Sequence, residues 1–230
     1  MNTLNESALM QMLELQDKMN KKIDPQWLMK KQPFLRAVLV ESIEALEHFG
    51  WKWWKQQIPD TVQLRIELID IWHFLLSEYL LRSDGDKRKA ATQIQAEWQG
   101  SSVISLDEKS IDLQKLDLRE KLELLAALSA IRRTNMPLIA QLFSFCELNP
   151  DSLYQEYISK NILNHFRQDH GYKTGDYKKN WDNQEDNVHM AEILITLKGK
   201  HQDENFNLAE SLYKALKERY ESLKQKGKLS

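Results

Sequence analysis

The stretch FLRAVLVESIEALEHFGWKWWKQQIPDTVQLRIELIDIWHFLLSEYLL, residues 34–81, decides the fold. It carries two apolar helical patterns around a break at Gly50-Trp51-Lys52-Trp53-Trp54-Lys55 and Ile58-Pro59-Asp60. At about 100° per residue, Phe34, Leu35, Val38, Leu39, Ile43, Leu46 and Phe49 fill one half of the first helix. Glu41 sits at the edge of that half, and Glu44 and Glu47 rotate progressively away from it. In the second pattern Val62, Leu64, Ile66, Leu68, Ile69, Ile71, Trp72, Phe74, Leu75, Leu76, Tyr79 and Leu80 cover nearly the whole circumference, which predicts a buried helix. One narrow stripe of it is polar: Gln63, Glu67, Asp70, His73 and Ser77. Ionised carboxylates in such a stripe are costly without a partner, and a metal ion or a cationic side chain supplies one.

Glu41-x-x-Glu44 and Glu67-x-x-Asp70 each place two carboxylates on one helix face, because a helix turns once in about 3.6 residues. Packed antiparallel, the two helices bring four carboxylates to one place, a donor set suited to a hard cation such as Mg²⁺. Spacing alone leaves a second reading open, in which Glu67 and Asp70 form buried salt bridges and Glu41, Glu44 and Glu47 are solvated. The expected fold class is all-α, a multi-helix bundle with an acidic metal site between two central antiparallel helices.

Composition agrees with that class. Seven Gly and five Pro in 230 residues argue against a turn-rich β protein, while 42% hydrophobic and 29% charged residues are ordinary for a globular chain. The length suffices to bury a core, and a single catalytic domain over 1–230 is expected. A net charge of −2 gives no reason to expect nucleic acid or a membrane surface as partner. One cysteine, Cys146, excludes an intrachain disulfide and suits a reducing cytoplasm. It lies in an apolar run beside Phe143 and Phe145 and reads as a core thiol. No apolar run approaches the roughly 20 residues of a membrane span, and no signal peptide is visible.

Residues 4–22 read as an amphipathic helix, with Leu4, Ala8, Leu9, Met12, Leu15 and Met19 at helical spacing. Gln16 and Asn20 share a face of it. Paired amides either read a pyrimidine edge, since each offers donor and acceptor together, or lie solvated at a helix end. The indoles of Trp51, Trp53 and Trp54 cannot all enter one core from one helix face; they wall a base-binding pocket or pack a helix corner. Residues 82–117 are more polar and form a candidate mobile or peripheral subdomain. It contains a helix over 87–99 anchored by Ala90, Ile94 and Trp98, then Ser105-Leu-Asp-Glu108, which matches a capping box. Asp117-Leu-Arg-Glu120 opens another helix, and Pro137 starts the next, which Asn149-Pro150 ends.

A second chemical stretch is YISKNILNHFRQDHGYKTGDYKKNWDNQEDN, residues 157–187. Lys160, Asn164 and Arg167 line one helix face, and Gly171 is a plausible C-cap. Tyr172, Lys173, Tyr177, Lys178, Lys179 and Trp181 follow in a basic loop, which either suits an anionic ligand or is simply solvated. Glu185-Asp186-Asn187 falls at the start of the next helix, where it caps. Two helices close the chain, over 188–197 and 207–223.

Four pieces together resemble a known family: Leu15-Gln16…Asn20; Glu41-x-x-Glu44; Trp51-Lys52-Trp53-Trp54 with Glu67-x-x-Asp70-x-Trp72-His73-Phe74; and Lys160-Asn-x-Leu-Asn164-x-Phe-Arg167…Gly171-Tyr-Lys173…Tyr177…Lys179…Trp181…Glu185-Asp-Asn187. The chain is similar to the dimeric all-α dUTP pyrophosphatases (dUTPases), relatives of the wider MazG-type nucleotide pyrophosphatases. The carboxylate motif marks the superfamily, and the Gly-Tyr-Lys and Glu-Asp-Asn pieces are more specific. Residues 82–117 match no part of the pattern. The resemblance implies hydrolysis of dUTP, and of dUDP, at the α–β anhydride, giving dUMP and pyrophosphate from dUTP and keeping uracil out of DNA. It implies that Glu41, Glu44, Glu67 and Asp70 hold Mg²⁺, with Glu41 also orienting or deprotonating the attacking water. Lys160, Arg167, Lys173 and Lys179, with Tyr172 and Tyr177, would neutralise phosphate charge. Gln16, Asn20, Trp54 and Asn164 would select uracil and deoxyribose, with Asn187 completing that region. It further implies a cytoplasmic homodimer. The competing readings are a pyrophosphatase of the same fold for another nucleotide, a di-iron bundle, and a non-catalytic helical adaptor. The di-iron class expects Glu-x-x-His on each of two helices, and this chain has Asp70 where that His would stand.

Overall fold

The computed structural model describes residues 4–198 and 208–230. The chain divides into two compact units, one formed by the residues up to Asp17 and Gln26–Tyr154, the other by Lys18–Pro25 and Gln155–Ser230. The boundaries fall inside two helices, α1 (Glu6–Ile23) and α8 (Pro150–Asp169).

The first unit is built on α3 (Phe34–Phe49) and α4 (Thr61–Arg82). Helix α3 ends where Gly50 takes φ +87°, a left-handed conformation that glycine adopts without strain, and its N–H bonds to the Leu46 carbonyl at 3.0 Å. A Cβ there would also stand 2.9 Å from Gln57 Cβ. Helix α4 starts where the Asp60 side chain accepts from the Gln63 N–H. The Asp60 N–H donates to the His48 carbonyl at 2.8 Å, which ties the end of α3 to the start of α4. The helices therefore run antiparallel, and Glu41, two turns back along α3, meets residues two turns into α4. As the periodicity predicts, α4 is buried nearly all round: Leu64, Leu68, Ile71, Trp72, Leu76 and Leu80 are fully enclosed. Each such side chain contributes about 1.5–3 kcal/mol of burial. Helix α3 packs against α4 and against α6 (Leu118–Ala130).

Residues 82–117 belong to this unit. Helix α5 (Lys87–Trp98) is capped by Asp86 and anchored by Ala90, Ile94 and Trp98, all buried, as its spacing predicts. The expected helix start at Ser105 is instead a hairpin. Strands β1 (Val103–Leu106) and β2 (Lys109–Asp112) pair antiparallel, with Ile104 opposite Ile111. Asp107 and Glu108 form the two-residue turn with φ of +48° and +64°, the primed geometry that matches strand twist. The capping box of the region lies at Asp117, where the side chain accepts from the Glu120 N–H and Glu120 reaches back to the Asp117 N–H. Helix α7 (Met136–Phe145) is capped by Asn135 with Pro137 in its first turn. Asn149-Pro150 separates it from α8 and also starts α8, the Asn149 side chain accepting from Asp151 and Ser152 N–H groups. Cys146 is buried, as expected of a core thiol.

The second unit has an aromatic core. Phe166 and Trp181 are fully enclosed, Tyr177 and Tyr220 nearly so, and Leu163, Leu212 and Leu216 fill in around them. Strands β3 (Asn180–Trp181) and β4 (Gln184–Glu185) form a second short hairpin turned by Asp182 and Asn183, both at positive φ. Helices α9 (Asp186–Lys198) and α10 (Leu208–Gln225) close the chain. The expected start of the last helix at Asn207 lies outside the described residues. The Asn180 N–H donates to the Ser230 carbonyl at 3.1 Å, pinning the last residues against β3. No helix among the described residues is long and apolar enough to cross a membrane.

Candidate active site

Glu41 on α3 and Glu67 and Asp70 on α4 converge: each offers a carboxylate oxygen, and these oxygens lie within 4.8 Å of one another. Glu67 is buried and the other two are half-buried. Glu44 is exposed one turn further along α3 and is not part of that group of three, though its charge acts on Glu41. Burial, then the negative charges of Asp70, Glu67 and Glu44, push the Glu41 carboxyl up to about 8, and a hydrogen bond with Glu67 adds to this. Carboxylates this close hold a proton between them until a cation replaces it. Such an oxygen-rich set fits a hard divalent ion.

The sequence reading missed His48. Its Nε2 stands 3.3 Å from Glu67 Oε1. Glu41, Glu44 and His48 follow at spacings of three and four on one helix, but a lone histidine after three acids reads as solvated until α3 is packed against α4. Glu47 points elsewhere; the Trp51 indole N–H donates to it at 2.6 Å and Lys52 lies at 3.4 Å.

Gln16 is buried on α1 and bound to the polar stripe of α4. Ser77 Oγ spends its one proton on the His73 carbonyl at 3.0 Å, so it accepts from Gln16 Nε2 at 2.9 Å. That orients the amide oxygen toward His73 Nδ1, at 2.8 Å, and assigns the ring proton to Nδ1. The polar positions His73 and Ser77 thus hold Gln16. Replacing Gln16 with Leu removes one buried hydrogen bond from His73 and one from Ser77, and a loss of about 1–3 kcal/mol is expected, read as a lowered melting temperature. An unchanged melting temperature contradicts this account. Asn20 lies four residues on along α1 and is also buried. Trp53 is 89% and Trp54 57% exposed, and Trp51, Trp53 and Trp54 stack edge to face on one another at 5.3 and 5.6 Å. Trp53 and Trp54 are thus largely outside any core, while Trp51 is tied to the end of α3 through Glu47.

In the second unit Lys160, Asn164, Arg167 and Asn187 come together. Lys160 Nζ donates to Asn187 Oδ1 at 3.0 Å, and Arg167 donates to Asn164 at 3.2 Å and to Asn187 at 3.3 Å. The Arg167 fork also grips Asp186 through both oxygens, at 2.7 and 2.8 Å, and the Tyr177 hydroxyl donates to the same carboxylate at 2.8 Å. Asp186 is fully buried. Burial alone would raise its pKa; the Arg167 hydrogen bonds and charge and the Tyr177 hydrogen bond outweigh it and hold the carboxyl below its usual range. Sequence reasoning treated Asp186 as a helix cap and missed this pair. Tyr172 is exposed, with the Arg167 guanidinium 5.8 Å over its ring. Lys173 Nζ donates to the Ile23 carbonyl at 2.5 Å, and Lys179 pairs at the surface with Glu185 at 3.2 Å.

The family model described as dUTPase matches residues 8–172. The chain belongs to the all-α dUTPase family. Membership makes it a dUTP diphosphatase. The match takes in Gln16, Asn20, Trp54, the carboxylates of α3 and α4, Lys160, Asn164, Arg167 and Tyr172. It ends before Lys173, Tyr177, Lys179 and Asn187, so those positions in this dUTPase stand on the structure and their motif alone. A search of curated proteins gave no match.

Proposed function

We propose that this dUTPase uses Glu41, Glu44, Glu67 and Asp70 to hold Mg²⁺, converts dUTP to dUMP and pyrophosphate, and also takes dUDP. The observation that carries this is the convergence of Glu41, Glu67 and Asp70 on two antiparallel helices inside the family match. A divalent cation bound there supplies charge neutralisation for the phosphates and polarisation of the attacking water. Glu41, set among three other carboxylates, orients that water and takes its proton. Lys160, Arg167, Lys173 and Lys179, with Tyr172 and Tyr177, are assigned to the charge of the phosphates. Gln16, Asn20, Trp54, Asn164 and Asn187 are assigned to the base and sugar. For Gln16 the support is that Ser77 and His73 hold its amide in one orientation.

The test is pyrophosphate release from dUTP, dCTP, dTTP and UTP, each with Mg²⁺ and with EDTA. Strong preference for dUTP, abolished by EDTA, is the expected result. Equal turnover of dCTP or UTP overturns the base assignment, and EDTA-resistant release overturns the cation assignment.

A further inference from the structure

His48 has no part in the assignments above, yet it lies against one of the carboxylates, Glu67. Its Nε2 is 3.3 Å from Glu67 Oε1. Adjacent donor atoms on one octahedral ion with bonds of about 2.1 Å stand about 3 Å apart, so the two atoms are spaced to close on a common ion. The backbone that carries the ring is fixed, since the His48 carbonyl accepts from Asp60 N–H at 2.8 Å. The side chain is 35% exposed and that of Glu67 10%, so an ion reaches the pair from the ring side. Glu44 and Glu41 lie on the same stripe of α3, one and two turns behind.

We propose that His48 is a nitrogen ligand of the cation site, turning an all-oxygen donor set into a mixed one. The inference rests on the reading of Glu41, Glu67 and Asp70 as cation ligands. A neutral imidazole offers its Nε2 lone pair. Mg²⁺ prefers carboxylate and water oxygens and gains little from it, whereas the first-row ions Mn²⁺ and Co²⁺ also take a nitrogen ligand, Co²⁺ standing above Mn²⁺ in the affinity order. The site therefore takes Mn²⁺ more tightly than Mg²⁺, by a margin that His48 sets. The contrasting role is a positioning residue, in which the ring holds Glu67 by a hydrogen bond and never touches the ion.

Pulsed EPR of the Mn²⁺-loaded protein separates the two, because only direct ligation gives strong ¹⁴N coupling to the manganese. Calorimetric titration of Mn²⁺ and Mg²⁺ accompanies it, on wild type and on His48→Gln and His48→Ser, whose folding is checked by circular dichroism. The expected result is ¹⁴N coupling in wild type that both variants lose. Mn²⁺ affinity falls about 10- to 100-fold, and Mg²⁺ affinity falls far less. Bound Mn²⁺ without ¹⁴N coupling overturns the inference, as does coupling that survives in the variants; both leave the cation site standing. Absence of any Mn²⁺ or Mg²⁺ uptake by wild type overturns the cation reading itself, and the inference with it.

Discussion

Glu41→Gln is expected to cripple dUTP hydrolysis and to leave the protein folded. The loss expected is about 10²- to 10³-fold in kcat, the range seen when one electrostatic contact to a reacting centre is removed. Preservation of the fold follows from the site itself. Burial, then Asp70, Glu67 and Glu44, raise the Glu41 carboxyl from 4.5 to about 8, so at neutral pH without a cation the side chain is already protonated. A glutamine amide has nearly the shape and the charge of that protonated acid. In EDTA at pH 7 the melting temperatures of variant and wild type should agree. Between pH 4.5 and about 8 the folded protein holds a proton that the unfolded chain has lost, so stability falls as pH rises through that window. The wild type in EDTA shows this fall and the variant lacks it. Added Mg²⁺ raises the melting temperature of the wild type and leaves that of the variant nearly unmoved. Full activity in the variant contradicts the assignment of Glu41.

Asp186→Ala destabilises the second unit more than any surface change in it. Asp186 is fully buried and takes two hydrogen bonds from Arg167, itself only 8% exposed, and one from Tyr177. Removing one member of a buried pair strands the other charge, a cost of about 3–5 kcal/mol. Urea denaturation followed by tryptophan fluorescence measures it, since Trp181 lies in the same core. Arg167 keeps its contacts to Asn164 and Asn187, which places the expected value at the lower end. The pH dependence has the opposite sign to that of Glu41. Asp186 is held below its usual value, so its stabilisation is complete above the unfolded carboxylate pKa of about 3.9 and is lost as pH falls through the lowered folded value. The wild type loses this contribution in acid, and the variant has none to lose. A loss below about 1 kcal/mol, the size of an exposed ion pair, contradicts the structural weight given to Asp186.

The two central helices were legible because periodicity and burial agree over long spans. Helix α4 has thirteen apolar positions round its circumference and one acidic stripe, and no packing but burial accommodates that pattern. The hairpins were not legible. Strands β1 and β2 have four residues each, too few for alternation to stand out, and Ser105-Leu-Asp-Glu108 satisfies the helix-capping pattern letter for letter. Its turn takes positive φ at Asp107 and Glu108 without the Asn-Gly that advertises such a turn. Glu41, Glu67 and Asp70 were readable as a group from spacing on adjacent helices. His48 was not, because a single histidine after three acids reads as solvated until the α3–α4 packing sets it against Glu67. Asp186 reads as a cap because it opens a helix, and its pairing with Arg167, nineteen positions earlier, exists only in the folded core.

The tryptophan loop sets apart what this chain can change from what it cannot. Trp72 and Trp181 are locked in by neighbours, and any replacement there must be matched by others. Trp53 and Ile58, 89% and 88% exposed, answer to no such jury. Replacing either removes almost no buried surface, so these two positions can change in single steps without first finding a compensating change in the core. The loop sits at the end of α3, just beyond His48, where new side chains arrive close to the chemistry. Adaptation toward a new ligand has an open route here, and drift in the fold does not.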